Sequence, residues 1–400
     1  MRLKRITATL CVGISIGLQG FGAESDQKTA ANENKIATMV YAGTYTGAKS
    51  KGIYLFRLKT EGNEDSGDVT LVSLGLAAET PSPSFLELDA KRHLLFAVNE
   101  VNSFEGKPTG AVSAFAIEPD TGKLKLINQV SSKGTGPCHL CLDKTGKNLL
   151  VANYSSGSVA VVPVGADGRL SEASDFVQHA GKSVNRERQE GPHAHCVTLD
   201  AANRFAFVCD LGLDKVLIYR FDADRGKLTP AEPAFAPVKA GSGPRHMAFR
   251  PDGKFAYVIN ELSSTITAFT YAADSGSLTE VQTVSSLPKD FHGHNTCAEI
   301  AVHPGGRFLY ASNRGSDTVM LFTVDQDKGT LVWVGEQSTG GKTPRHFAIE
   351  PAGKHLAVAN QDSDNILLCR IDAATGRLKP AGTIECPSPV CLVFSQSGKE

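Results

Sequence analysis

One unit recurs along the chain from Met39 to the C-terminal end, and no other feature constrains the fold as strongly. Its core is an apolar strand, a turn, and a second apolar strand ending in Asn, Asp or Thr. A clear copy runs His246-Met-Ala-Phe-Arg-Pro-Asp-Gly-Lys-Phe-Ala-Tyr-Val-Ile-Asn260, and others span Ile300–Asn313 and Phe347–Asn360. The second strands end at Thr44, Asn99, Asn153, Asp210, Asn260, Asn313 and Asn360. Seven copies at a spacing of roughly 50 residues suit four-stranded propeller blades.

The rest of each unit agrees. Third strands are predicted at Val159–Val164, Val216–Phe221, Thr265–Tyr271 and Thr318–Val324. The turn to the fourth strand repeats as Asp120-Thr-Gly-Lys-Leu124, Asp224-Arg-Gly-Lys-Leu228, Asp274-Ser-Gly-Ser-Leu278 and Ala374-Thr-Gly-Arg-Leu378. Its glycine supplies the positive φ a tight hairpin needs. The first copy, Met39–Thr44, lacks a preceding inner strand, while Pro389–Gln396 is an inner strand with nothing after it. The expected fold is therefore an all-β, seven-bladed β-propeller over 38–400, its ring closed by the C-terminal strand, which removes open edges.

Strand direction identifies a candidate site. In each blade the start of the inner strand and the end of the second lie on one rim. The inner strands begin with Ser84, Cys138, His195, Arg245, Ala298, Arg345 and Val390. The second strands exit at Tyr45, Glu100, Tyr154, Leu211, Glu261, Arg314 and Gln361. Together they ring one mouth of the central channel, where a ligand is expected. Arginine forks suit carboxylate or phosphate oxygens, and a carboxylate or imidazole among them suits acid–base work. Propeller rims also use such residues to satisfy their own backbone. The set Arg245, Glu261, Arg314 and His195 nevertheless points to function.

Other chemistry finds little support. With 41 basic and 42 acidic residues the chain lacks the basic footprint of a nucleic-acid binder. No P-loop, dinucleotide-binding glycine turn or Gly-x-Ser-x-Gly elbow occurs. The pairs His193/His195 and His292/His294 could chelate a metal, but no thiolate or carboxylate stands at companion spacing. No metal or cofactor is expected. The charged loop Asn185–Gly191 lies on the mouth side and reads as solvated rather than as a lid.

At the N-terminus, Arg2, Lys4 and Arg5 precede a short apolar stretch, Ile6–Leu18, and then Gly20 and Gly22. This reads as a signal peptide over 1–22, cleaved after Gly22 and followed by a flexible lead-in over 23–37. It falls short of the ~20 residues of a membrane span. A periplasmic or secreted protein, without membrane attachment after cleavage, is expected. Eight cysteines follow the signal. Most sit in apolar runs, and Cys138-His-Leu-Cys141 reads as packing rather than redox or zinc chemistry.

At Gly191-Pro-His-Ala-His195, Gly243-Pro-Arg-His246, Val258-Ile-Asn-Glu261 and Tyr310-Ala-Ser-Asn-Arg-Gly315 the sequence resembles the propeller lactonase family. That family includes bacterial propeller-type 6-phosphogluconolactonases and fungal carboxymuconate-lactonizing enzymes. The resemblance implies catalytic roles for His195, Arg245, Glu261 and Arg314. His193, His246, Arg345 and Glu100 are expected to bind substrate, a small lactone or anionic sugar acid. The implied activity is metal-independent hydrolysis of a sugar-derived lactone, with Glu261 or His195 activating water. Alternatives are a muconate-type cycloisomerase and a non-catalytic binding propeller. The best-known lactonase of the family serves a cytosolic pathway, so an export signal sets its phosphorylated substrate in question.

Overall fold

The computed structural model describes residues 38–61, 68–288 and 290–395. The expected signal peptide, its cleavage site after Gly22 and the lead-in lie outside the described residues, as does Gln396. Every regular element among the described residues is a strand, and these form seven four-stranded antiparallel sheets. Blades 2 to 7 each take four consecutive strands, beginning at Leu86, Pro137, Ala194, Pro244, Thr296 and Pro344. Blade 1 joins the last strand, Pro389–Phe394, to Met39–Thr44, Gly52–Glu61 and Asp68–Glu79. The predicted closure is thus observed, with Val40 opposite Phe394 and Ala42 opposite Leu392.

The predicted strands fall where expected. Thr318–Val324 forms as read, Thr265–Ala272 runs one residue further at its end, and Lys215–Asp222 is one residue longer at each end. Five of the seven second strands are buried along their whole length, as in Phe205–Asp210 and Phe255–Asn260, and the other two are buried at all but one end residue. That explains their continuous apolar runs, since each is covered on both faces by neighbouring blades. Between blades 4 and 5, for example, Phe207 meets Phe249 and Tyr271 edge to face at ring separations of 5.2 and 5.6 Å.

The recurrent turn glycine does more than reverse the chain. Gly329 and Gly376 have φ of 68° and 72°. A Cβ on Gly329 would stand 2.1 Å from the Phe255 ring of the preceding blade, and one on Gly376 would stand 2.6 Å from Phe308. Tyr257 and Tyr310 then donate their hydroxyls to the carbonyls of Gly329 and Gly376, at 3.0 and 2.6 Å. The same turn motif therefore sets both the hairpin and the blade-to-blade contact.

Candidate active site

A bulge at the start of the inner strands builds the mouth. Pairing with the second strand slips by one residue between Pro137 and His139, Ala194 and Cys196, Pro244 and His246, and Pro344 and His346. The same slip lies between Cys297 and Ile300. A regular strand would send successive side chains to opposite faces, and the extra residue breaks that alternation. Arg245 and His246 consequently both line the throat of the channel, as do Arg345 and His346.

Above the throat opens a cleft of about 380 Å³, with His195, Glu261, Arg188, Arg314 and Arg345 in its wall. Glu261 is its electrostatic centre, only 4% exposed. Its Oε1 accepts Arg188 Nη2 at 2.7 Å, and its Oε2 accepts Arg245 Nε and Arg314 Nη2, both at 3.0 Å. Burial pushes the carboxyl pKa up, but Arg314, Arg245 and Arg188 more than offset it and hold it at about 2. An ionised group held this firmly is a poor proton acceptor at neutral pH.

The arginines are committed to different degrees. Arg245 also donates Nη1 to His246 Nε2 at 2.9 Å and to the Ala298 carbonyl at 3.2 Å. Arg314 donates Nη2 to the Cys297 carbonyl at 2.7 Å, its buried Nε has no acceptor among the described residues, and burial lowers its pKa to about 10. Arg345 lies over the Tyr45 ring at 5.2 Å and makes no hydrogen bond among the described residues. The walls of cleft and throat thus hold the guanidiniums of Arg188, Arg245, Arg314 and Arg345 against the carboxylates of Glu100 and Glu261. The excess of positive charge favours an anionic guest.

His195 stands between these groups. Burial, then Arg245, His246 and Arg345, hold its pKa well below the usual imidazole range, so the ring is neutral. Its Nδ1 faces Cys138 Sγ at 3.8 Å, while that thiol donates to the His195 carbonyl at 3.3 Å. If Nδ1 donates to this sulfur, the ring's lone pair is on Nε2.

The residues expected to touch substrate divide into two groups. Glu100 and Arg345 line the cleft, and Glu100 Oε2 accepts the Tyr45 hydroxyl at 3.0 Å. His193 is stacked on Tyr154 at 4.6 Å, with Nδ1 against the Tyr154 carbonyl and Nε2 against Glu190. His246 likewise has both ring nitrogens engaged by protein, Nε2 by Arg245 and Nδ1 by Glu299. Of the two His-x-His pairs, His294 lines the cleft and His292 is exposed.

Two residues, Arg188 and Glu299, escaped the sequence reading, and a third, Cys138, was placed at the mouth but read only as packing. Arg188 belongs to the loop expected to be solvated. That loop folds down because Gln189 is fully buried, accepting the Asn185 N–H and donating to the Leu211 carbonyl. Arg188 then reaches Glu261 and the Tyr154 hydroxyl. Its signal was the run of charges just before Gly191-Pro-His193. Cys138, read as packing, is the bulged residue beside His195 in the cleft wall. Glu299 was hidden by the alternation rule, which assigns it away from the channel. All eight described cysteines are free thiols.

Comparison with known proteins agrees with this geometry. Residues 39–394 match the family described as "Lactonase, 7-bladed beta-propeller". A curated 6-phosphogluconolactonase of Bacillus subtilis is 36% identical over 356 residues, covering 88% of this chain and 97% of the relative. One from Formosa agariphila is 34% identical over 311 residues, 77% of this chain and 85% of the relative. The structure of a Pseudomonas aeruginosa periplasmic gluconolactonase superposes with a TM-score of 0.82 at 34% identity, covering 90% of this chain and all of the other. A seven-bladed ring, the four motifs and a match along the whole described propeller together place this chain in the seven-bladed β-propeller lactonase family.

Proposed function

We propose that this protein is an exported lactonase that opens a sugar-derived lactone, an aldonolactone, at the mouth of the propeller. One observation carries the reading: a neutral imidazole, His195, shares a cleft with guanidiniums that exceed the carboxylates in number. His195 Nε2 takes a proton from water as its oxygen attacks the lactone carbonyl. Arg245 and Arg314 oppose the negative charge that develops on the carbonyl oxygen. The imidazolium then returns the proton to the ring oxygen as the ester bond breaks, leaving an alcohol and a carboxylic acid that loses its proton to solvent. Arg345, whose guanidinium makes no hydrogen bond among the described residues, receives the carboxylate that ring opening produces.

Glu261 has a different task. Three arginines bring it well below neutrality, so it locks their forks in place instead of accepting a proton. The related periplasmic gluconolactonase supports the export reading, and with it a lactone without phosphate. Among the described residues no helix is long and apolar enough to cross a membrane.

The test is acid release from a panel of plain and phosphorylated aldonolactones, with and without chelator. Turnover of an unphosphorylated aldonolactone that survives chelation is expected. Turnover of the phosphorylated lactone alone would reverse the substrate assignment, and no turnover on any lactone would reject the hydrolase.

A further inference from the structure

Beneath the arginines the channel carries a second tier, one residue further along each inner strand, and Glu299 lies at its centre. The side chain is buried, and the polar contacts of its carboxylate among the described residues are with three nitrogens. Oε1 accepts the Ile300 N–H at 2.9 Å. Oε2 meets His246 Nδ1 at 3.0 Å and His346 Nε2 at 3.3 Å. The protons on both rings can be placed from their other contacts. His346 Nδ1 accepts the Leu392 N–H at 3.2 Å, so its proton is on Nε2, toward Glu299. His246 Nε2 faces Arg245 Nη1 at 2.9 Å. A guanidinium can only donate, so His246 carries its proton on Nδ1, again toward Glu299.

A carboxylate is the one side chain of this length that accepts at both oxygens. A glutamine would turn its amide NH₂ either on the Ile300 N–H or on the two histidines. In the second case His246 must accept at Nδ1 and protonate at Nε2. That would set an N–H against the Arg245 N–H and push the guanidinium off its contact with the Ala298 carbonyl.

We propose that Glu299 is a positioning residue, holding His246 as the Nδ1–H tautomer so that its Nε2 fixes the Arg245 fork at the cleft. The inference rests on the reading that Arg245 faces the reacting carbonyl. It differs from that reading in what it requires, because the tautomer is observable without any turnover.

The experiment combines ¹⁵N histidine NMR of the folded protein with steady-state hydrolysis of glucono-1,5-lactone. Wild-type His246 should show the Nδ1–H pattern, and Glu299→Gln should displace it. Turnover of Glu299→Gln should fall about tenfold with KM within about twofold, the signature of a contact made in the transition state. His246→Gln offers an amide oxygen where Nε2 stood, an acceptor for Arg245 that depends on no tautomer, and its rate is the background against which the double variant is read. Adding Glu299→Gln to His246→Gln should then cost less than about twofold further, because the two residues act through one contact. A wild-type His246 protonated on Nε2 overturns the proposal even if no variant folds. Wild-type turnover in Glu299→Gln overturns it as well, and so does an equal loss in both backgrounds. A wild type inactive on every lactone but with the Nδ1–H tautomer would reject the lactonase reading, and with it the catalytic part of this role.

Discussion

Replacing Glu261 with glutamine removes the charge at the centre of the cleft while keeping its shape, and it imitates the protonated carboxyl. The carboxyl is held at about 2 against an ordinary 4.5. At about 1.36 kcal/mol per pH unit, the fold therefore favours its ionised form by about 3 kcal/mol. The Arg245 and Arg314 side chains in this cluster are only 3% and 13% exposed. Arg188 is 38% exposed, so its share is screened and should be discounted. A folded-state pKa depressed below the unfolded one gives stability that is present above about 4.5 and lost as pH falls toward about 2. Glu261→Gln should thus be less stable than wild type by about 3 kcal/mol at pH 7, and the two should converge on acidification through that window. Paired thermal or guanidinium melts from pH 7 to pH 3 measure it. A gap that is absent at pH 7, or that stays constant down to pH 3, would refute the assignment of three guanidiniums to one carboxylate. Turnover should fall with stability at pH 7, because Arg245 and Arg314 lose their common anchor.

Other outcomes follow from the same structure. Truncation after Glu385 removes the strand that pairs with Met39–Thr44, so the whole ring should melt at lower temperature; an unchanged melting curve would deny the closure. Gly329→Ala meets Phe255 at 2.1 Å and a φ of 68°, and should cost about 2 kcal/mol or more in a denaturant melt. Because burial and neighbouring cations hold His195 well below its usual range, kcat/KM should stay flat on acidification through about pH 6.5, the ordinary histidine value. A rate that halves near pH 6.5 would mean His195 is not the base, or is not buried among arginines during catalysis.

Much of this was legible in the sequence because a propeller repeats its instructions. The second strands, ending at Asn99, Asn153 or Asn260, are apolar throughout because they are buried throughout, and their recurrence sets blade number and phase. Strand direction alone brought His195, Arg245, Glu261 and Arg314 to one mouth, where the structure has them. What escaped lies in local hydrogen bonding. The bulge that turns both Arg245 and His246 inward is a slip of one residue in pairing, and no residue type announces it. Alternation therefore concealed Glu299 and treated Cys138 as filler. Arg188 was missed because its placement depends on Gln189 burying itself under the loop, which composition cannot show. The choice between Glu261 and His195 as base also needed distances, since only three guanidiniums within 3.0 Å of one carboxylate reveal how acidic it is.

The most direct test of the account is hydrolysis of glucono-1,5-lactone by wild type, His195→Gln and Asp252→Asn at matched folded concentration. Asp252 lies in the turn after the inner strand of blade 5, at the end away from the mouth, and its exchange should leave the rate unchanged. His195→Gln removes the proton acceptor and should lower kcat by about 10²- to 10⁴-fold while the protein stays folded. Equal rates for all three proteins would contradict the assignment of catalysis to this cleft.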